Sequence, residues 1–411
     1  MAADSALRDH VLEQLSLMNL SAPYRLIVLM CCAELLATIP AGTYAPLIPA
    51  LRSSWHMSNA QAGLVDGSFQ TGYLLASPVL LALSDRVDPK RIFVFSAILS
   101  SVASILLALV ATGWVSAMPF RLASGIGLAG TYLPGLRVLS DRLSPTLRQR
   151  AVAYYTATFS AGASVAVLTA GLAGHGFGWR GAFAVAAIGA LIAASICATV
   201  IAAPAVGKVP SWRETLNLKP AFSNTSSLAF NLAYAAHMWE LYGFRAWIVT
   251  FLVFVATLSG TSAVQVPLLA SFVLLVGLPA SIIGNELSAR FGRVRVICMV
   301  MLMSASVALS VPTLSLSLLS AFLICSAYSF LVSADSGALT AGAVHFAAPG
   351  RQGATLAVHS VLGFLAAGIS PSVVGLVLDH GSGVGAWTRA FGVLAGGVLL
   401  GPVVLRALRP Q

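Results

Sequence analysis

The chain has 411 residues, of which 58% are hydrophobic and 9% charged, and its mean hydropathy is +0.89. Soluble domains carry about 25% charged residues, so this sequence cannot cover a water-facing surface, and lipid is the solvent it fits. The net charge of +10 raises the question of a nucleic-acid partner, but the positions of the basic residues argue for membrane topology instead.

Residues 1–24 form a short amino-terminal segment whose Asp4, Asp9 and Glu13 are incompatible with a cleavable signal, so the first span directs insertion. Apolar runs of roughly 20 residues, the length that crosses a bilayer core, follow one another along the whole chain. Twelve are predicted, centred near Ile39, Leu74, Ile105, Gly127, Val165, Leu191, Leu241, Leu275, Leu302, Phe330, Ala366 and Val398. Ser58-x-x-Gln61 is a capping box that marks the start of the second. Residues 25–203 hold six spans, 204–224 a linker with Pro204, Pro210 and Pro220, 225–405 six more spans, and 406–411 a tail. Ser211-x-x-Glu214 starts a short surface helix in the linker. Of the 23 lysines and arginines, Arg52, Arg180 and Arg389 fall on the far side, Arg121 and Arg245 fall within spans, and all others, from Arg8 to Arg409, share the side of the amino terminus. The positive-inside rule then places both termini in the cytoplasm of a multi-pass protein of the cytoplasmic membrane.

The two halves echo each other. The basic turns Ser84–Arg91 and Ala289–Arg295 put Arg86 and Arg290 204 positions apart (290 − 86), the offset that also separates Gly171 from Gly375 and Tyr155 from His359. Trp179-Arg180-Gly181-Ala182-Phe183 opens the sixth span as Trp387-Thr388-Arg389-Ala390-Phe391 opens the twelfth. A membrane unit written twice is the mark of parallel repeats in secondary transporters.

In these residues the chain resembles the major facilitator superfamily over almost its whole length. Asp85, Arg86 and Lys90 match that family's G-x3-D-R-x-G-R-K turn, with Leu81 and Asp88 in place of two glycines. Arg290, Gly292 and Arg293 match the weaker second copy, and Arg121, Gly125, Gly127 and Ala129 match an R-x3-G-x-G-x-A element of the fourth span. The stretch Tyr234–Gly243, with His237, Trp239 and Glu240, and the stretch Ala334-Asp335-Ser336 are similar to the cyanate/nitroimidazole permease branch. The glycine-proline element of drug/proton antiporters is absent from the fifth span, 161–174. The resemblance implies an all-α membrane protein, twelve transmembrane helices in two pseudo-symmetric six-helix halves, with a central cavity bordered by the first, second, fourth, seventh and tenth spans.

A charge at a helix centre costs about 2.5–3.5 kcal/mol on insertion scales, so Glu34, Asp66, Arg121, Glu240, Arg245 and Asp335 mark a wet interior. Arg121 is read as an anchor for an anionic substrate or as a post that holds backbone carbonyls. His237 and Glu240, three apart with Trp239 between, share a helix face and form a candidate proton carrier. Asp66, near the outer mouth, is expected to be solvated, and Glu34 and Asp335 to be coupling or gate groups. Tyr155 and His359 are read as packing residues with one hydrogen bond each. By the resemblance, Asp85, Arg86, Asp141 and Arg142, with Arg290, Gly292 and Arg293, latch the cytoplasmic side and stabilise the outward-open state.

These readings point to a secondary active transporter of a small solute, a small organic anion favoured by Arg121 and Arg245, working by alternating access and coupled to protons. No nucleotide-binding G-x4-G-K-[ST] motif is present. A proton-driven drug or metabolite efflux antiporter is the alternative, and a membrane-embedded enzyme a distant one, because the seven histidines are scattered over tails, loops and separate spans. Cys31, Cys32, Cys197, Cys298 and Cys325 lie within spans as small apolar residues, and Met299, Met301 and Met303 alternate on a peripheral span. No cofactor, metal or nucleic acid is expected; a monomer in a lipid bilayer is.

Overall fold

The computed structural model describes residues 22–200, 222–349 and 351–408. The chain's amino-terminal segment, most of the 204–224 linker with Lys208, Arg213, Lys219 and the Ser211 capping signal, and Arg409 lie outside the described residues.

Among the described residues the secondary structure is helical, and the helices are the twelve expected. They are α1 (Pro23–Trp55), α2 (Asn59–Leu83), α3 (Pro89–Val110), α4 (Trp114–Ser140), α7 (Thr225–Leu258), α8 (Ala263–Phe291), α9 (Arg293–Leu314), α10 (Leu318–His345), α11 (Gln352–Asp379) and α12 (Gly383–Leu408). Pro145–Ala198 is two helices, α5 (145–177) and α6 (179–198), which meet at Gly178, whose φ of 67° a side chain would strain. Gly292, at φ 95°, makes the equally tight corner between α8 and α9.

Local chemistry sets the boundaries. The Ser58 hydroxyl accepts from the Gln61 N–H at 3.2 Å while the Gln61 side chain accepts from the Ser58 N–H at 2.9 Å, so the predicted capping box opens α2. Asp88 caps α3 ahead of Pro89, and Asn224 caps α7 by accepting from the Ser227 N–H at 3.0 Å. α1 breaks at Thr38 and Thr43, where the prolines at 40 and 46 interrupt the ladder and each threonine hydroxyl donates back to the carbonyl four residues earlier at 2.8 Å.

Leu75, Phe95, Leu109, Phe177 and Leu316 are all exposed on the outer surface. So much outward apolar area has no stable place in water and suits the hydrocarbon of a bilayer. Cys32 belongs to this outer face, whereas Cys197, Cys298 and Cys325 are buried as expected. Trp179 and Trp387, the tryptophans of the duplicated span openings, are both buried, against Trp55 and Phe251 respectively.

Helices α1–α6 form one half and α7–α12 the other, and the halves meet along α2 with α11 and α5 with α8. At the face opposite the termini, hereafter the far face, this seam is tight. Gly63 and Gly67 of α2 lie directly against the Pro371 and Gly368 carbonyls of α11, and Gly375 lies against Asn59, so no Cβ fits at any of the three. Ser164 of α5 donates to the Ser271 carbonyl of α8 at 2.7 Å, and Gly171 seats Pro267. Toward the terminus face, α8 beyond Val276 leaves α5, and a cavity of about 800 Å³ opens between the halves.

Candidate functional site

The cavity runs from Arg293 and His345 at the terminus face to Arg245 and Tyr242 at its inner end. Beyond Arg245 and Tyr242 lies a smaller chamber of about 70 Å³, also bordered by Asp66, Gln70 and Thr38, with room for a few water-sized groups. Arg245 therefore stands between the open cavity and the sealed far face. It projects from the middle of α7, which together with α10 supplies about half of the wall. The guanidinium lies 5.8 Å from the centre of the Tyr242 ring. Its Nε, in the interior, has no hydrogen-bond partner, and no carboxylate among the described residues pairs with it. The Gln70 Oε1 facing the same chamber is also without a partner. Turning that amide end for end would offer its N–H2 to the same space. A desolvated donor with nothing to donate to is costly, and the residue that carries it lines the cavity.

A second polar group lines the C-terminal half of the wall. His237 on α7 brings Nδ1 to 2.8 Å from Asp335 Oδ1, at the break in α10, without the alignment of a hydrogen bond. The Tyr234 ring stacks on His237 at 5.6 Å and on His359 at 3.6 Å. The His359 ring nitrogens reach Asn231 at 3.1 Å and Thr340 at 3.2 Å. His359 thus has two polar neighbours and a stacking partner, more than the single hydrogen bond expected of a packing residue.

The other span charges are held away from the cavity. Arg121 is buried, donating to the Pro40 carbonyl at 3.0 Å and to Asp66 at 3.1 Å, with its guanidinium over the rings of Tyr44 and Phe69. Of its two readings, the post holding a backbone carbonyl is the one the contacts describe. Asp66 is not solvated at an outer mouth: the far-face seam buries it, and Arg121 is its counter-ion. Glu34 is fully buried beside Tyr155, whose hydroxyl is 2.7 Å from Oε2 and 3.0 Å from the Thr131 carbonyl. The one phenol hydrogen can serve either acceptor but not both. Glu240 departs from the expected carrier role. Its Oε1 accepts from Ser304 of α9 at 2.8 Å and Tyr328 of α10 at 3.0 Å, so it turns into the helix bundle instead of sharing the cavity with His237. Trp239 also faces away, donating to the Val393 carbonyl of α12 at 3.2 Å.

The charged turns form a cluster on the terminus face. Asp85 accepts from Arg137, which also meets Asp141 at 3.6 Å, and Arg142 donates to Asp88 at 3.0 Å. These pairs all join α2, α3 and α4 of one half, so they do not bridge the halves in this state. Arg293 donates to the Ala338 carbonyl at 2.9 Å within the other half. Gly292 supplies only the corner, and Arg290 sits in the last turn of α8 beside it.

One residue of the seam was missed by sequence reasoning. Asp379, the last residue of α11, accepts from the Asn59 N–H at 2.8 Å, the Asn59 side-chain amide at 2.9 Å and the Ala60 N–H at 2.8 Å. A carboxylate of one half thereby caps the first turn of a helix in the other. Its signal was an acid at the end of a span, in a chain with only 13 acids.

The comparisons with known proteins agree with this architecture. The family model described as Major Facilitator Superfamily matches residues 30–371. The chain is 33% identical over 157 residues, 37% of its length, to the inner membrane metabolite transport protein YgcS of Escherichia coli (strain K12). It is 25% identical over 138 residues, 34% of its length, to the probable sphingolipid transporter spinster homolog 1 of Arabidopsis thaliana. These matches span 34% and 28% of the respective relatives, about a third of their length. Among solved structures, a bacterial homolog of the human lysosomal transporter Spinster, inward-facing and unoccupied, superposes with a TM-score of 0.75 at 18% identity, covering 95% of this chain and 96% of that one. The nucleoside transporter NupG gives 0.75 at 15% identity over 93% and 99%. At such identities the superpositions show the fold: twelve membrane helices in two halves. With the family model matched over most of its length, the chain belongs to the Major Facilitator Superfamily and is a multi-pass membrane transporter, not an enzyme.

Proposed function

We propose that this transporter moves a small organic anion by alternating access, coupled to protons, as a monomer in the cytoplasmic membrane with both termini in the cytoplasm. The observation that carries the proposal is Arg245, a guanidinium without a counter-ion at the inner end of a cavity between the halves. A buried cation is stable beside an opposite charge, and the substrate supplies it. The basic terminus face, taken as cytoplasmic by the positive-inside rule, makes this the inward-open state. His237 on the cavity wall, with Asp335 behind it at 2.8 Å, carries the coupling proton in place of Glu240. The Asp85–Arg137–Asp141 and Asp88–Arg142 cluster, with Arg86, Arg290 and Arg293, closes against the opposite half when the far face opens. The likeness of Tyr234–Gly243 to the cyanate/nitroimidazole permease branch fits, since that stretch supplies both His237 and the approach to Arg245.

The test uses purified protein in proteoliposomes. Small labelled carboxylates, amines and neutral solutes are ranked by thermal stabilisation and tested for uptake, and the best carboxylate is followed under an imposed pH gradient. Accumulation above equilibrium is expected, and Asp335→Asn is expected to abolish it while preserving counterflow exchange. Accumulation that ignores the pH gradient removes the coupling; a screen in which only cations or neutral solutes are moved removes the anion.

A further inference from the structure

We infer that the anion is a planar aromatic carboxylate, a conclusion that rests on the anion reading above and narrows it. Six aromatic rings line the cavity around Arg245: Tyr73, Tyr132 and Phe159 from the first half, and Tyr234, Tyr242 and Phe364 from the second. Tyr73 and Phe364 stack across the seam at 4.0 Å and form the floor. Tyr234 is stacked on His359 and on His237 and serves as wall. Tyr132 and Phe159, tilted against each other at 4.6 Å, and Tyr242, beside Phe364 at 5.9 Å, remain as ring surfaces that a ligand can reach.

The arrangement sorts ligands by chemistry. The faces of the rings carry partial negative charge and their edges partial positive charge, so a carboxylate among them is repelled from the faces and is drawn to the cation at that inner end, Arg245; the other lining arginine, Arg293, stands at the opposite end. The hydroxyls of Tyr73, Tyr132, Tyr234 and Tyr242 lie within electrostatic reach of one another, and Arg245 within reach of Tyr234 and Tyr242. Phenol donors and a guanidinium thus converge where the carboxylate sits, while flat ring surfaces flank the space where its carbon skeleton extends. A planar ring offers those surfaces an offset stack; a puckered aliphatic ring of equal volume and charge cannot. Because Tyr132 and Phe159 belong to one half and Tyr242 to the other, a ring held among them touches both halves. The same stacking therefore favours the state in which the halves close on the ligand.

The test compares benzoate with cyclohexanecarboxylate, equal in charge and close in size, by equilibrium binding to the full-length protein in nanodiscs. Benzoate is expected to bind about tenfold more tightly, and Phe159→Leu to remove most of that preference while leaving cyclohexanecarboxylate binding nearly unchanged. Arg245→Gln is expected to weaken both ligands together. Equal affinities, both dependent on Arg245, overturn the aromatic inference and leave the anion reading standing. Binding of either ligand that is indifferent to Arg245→Gln overturns the anion reading itself. A preference for benzoate that survives both Phe159→Leu and Tyr132→Leu places the ring elsewhere and also overturns the inference.

Discussion

The two halves contain similar parts put to different uses. Each buries a glutamate against a tyrosine hydroxyl, Glu34 with Tyr155 and Glu240 with Tyr328, and each places an arginine inside a span. In the first half that arginine has a counter-ion: Arg121 has Asp66, a backbone carbonyl and two aromatic faces, although its Nε is without a partner. In the second, Arg245 has a tyrosine ring and open space. The His237–Asp335 pair belongs to the second half as well. On the proposed reading, one copy of a duplicated fold keeps its buried arginine as scaffold and the other turns it toward the solute. Burial alone does not separate the two roles; the presence of a carboxylate partner does.

The largest effect that can break this contrast comes from Arg121→Gln. Removing one partner of a buried ion pair typically costs about 3–5 kcal/mol, so the variant should lose most of its folded yield, read by size-exclusion profile and thermal unfolding. Adding Asp66→Asn should restore part of it. A well-folded Arg121→Gln protein that has lost only transport would make Arg121 a substrate residue and erase the distinction. Next in size, Arg245→Gln should fold like the parent while its transport efficiency falls about 100-fold, which corresponds to roughly 2.7 kcal/mol. A comparable loss of stability would make Arg245 a second scaffold residue.

The glutamates sharpen the same point at a smaller scale. Glu240→Gln keeps an oxygen that accepts from Ser304 and Tyr328 and should cost at most about 1 kcal/mol of stability, with pH-driven accumulation retained. Accumulation lost in that variant while Asp335→Asn retains it would return the coupling role to Glu240. The smallest shift is expected from Asp379→Ala. Loss of this cap weakens the far-face seam by about 1 kcal/mol, so outward-open molecules should become about fivefold more common. Labelling of a seam cysteine at Ser372→Cys, in a background without the native cysteines, by an impermeant maleimide from the far face measures that change.

The architecture was legible because lipid leaves few choices. Apolar runs of span length, a basic side and a capping box at Ser58 fix twelve helices and their boundaries, and the matched turns around Arg86 and Arg290 mark the two halves. Direction around each helix was not legible. His237 and Glu240 lie three apart, and that spacing was read as a shared cavity face. On α7 the offset is enough to send Glu240 to α9 and α10 while His237 stays on the wall. Asp66 and Arg121 lie on different spans, and no periodicity in either reports the other. Asp379 was not legible because it stands alone at a span end outside any motif, and its role depends on a helix start 320 residues away.

The central claim is that the guanidinium of Arg245 receives an anion inside the crevice, and protection from labelling tests it most directly. Ser160→Cys, on the cavity wall, is placed in a background stripped of the native cysteines and exposed to an impermeant maleimide from the terminus face. With the best-binding carboxylate from the thermal screen, labelling should slow several-fold, and the same carboxylate should give no protection when Arg245→Gln is added. Equal protection with and without the arginine, or none in either protein, would contradict the account.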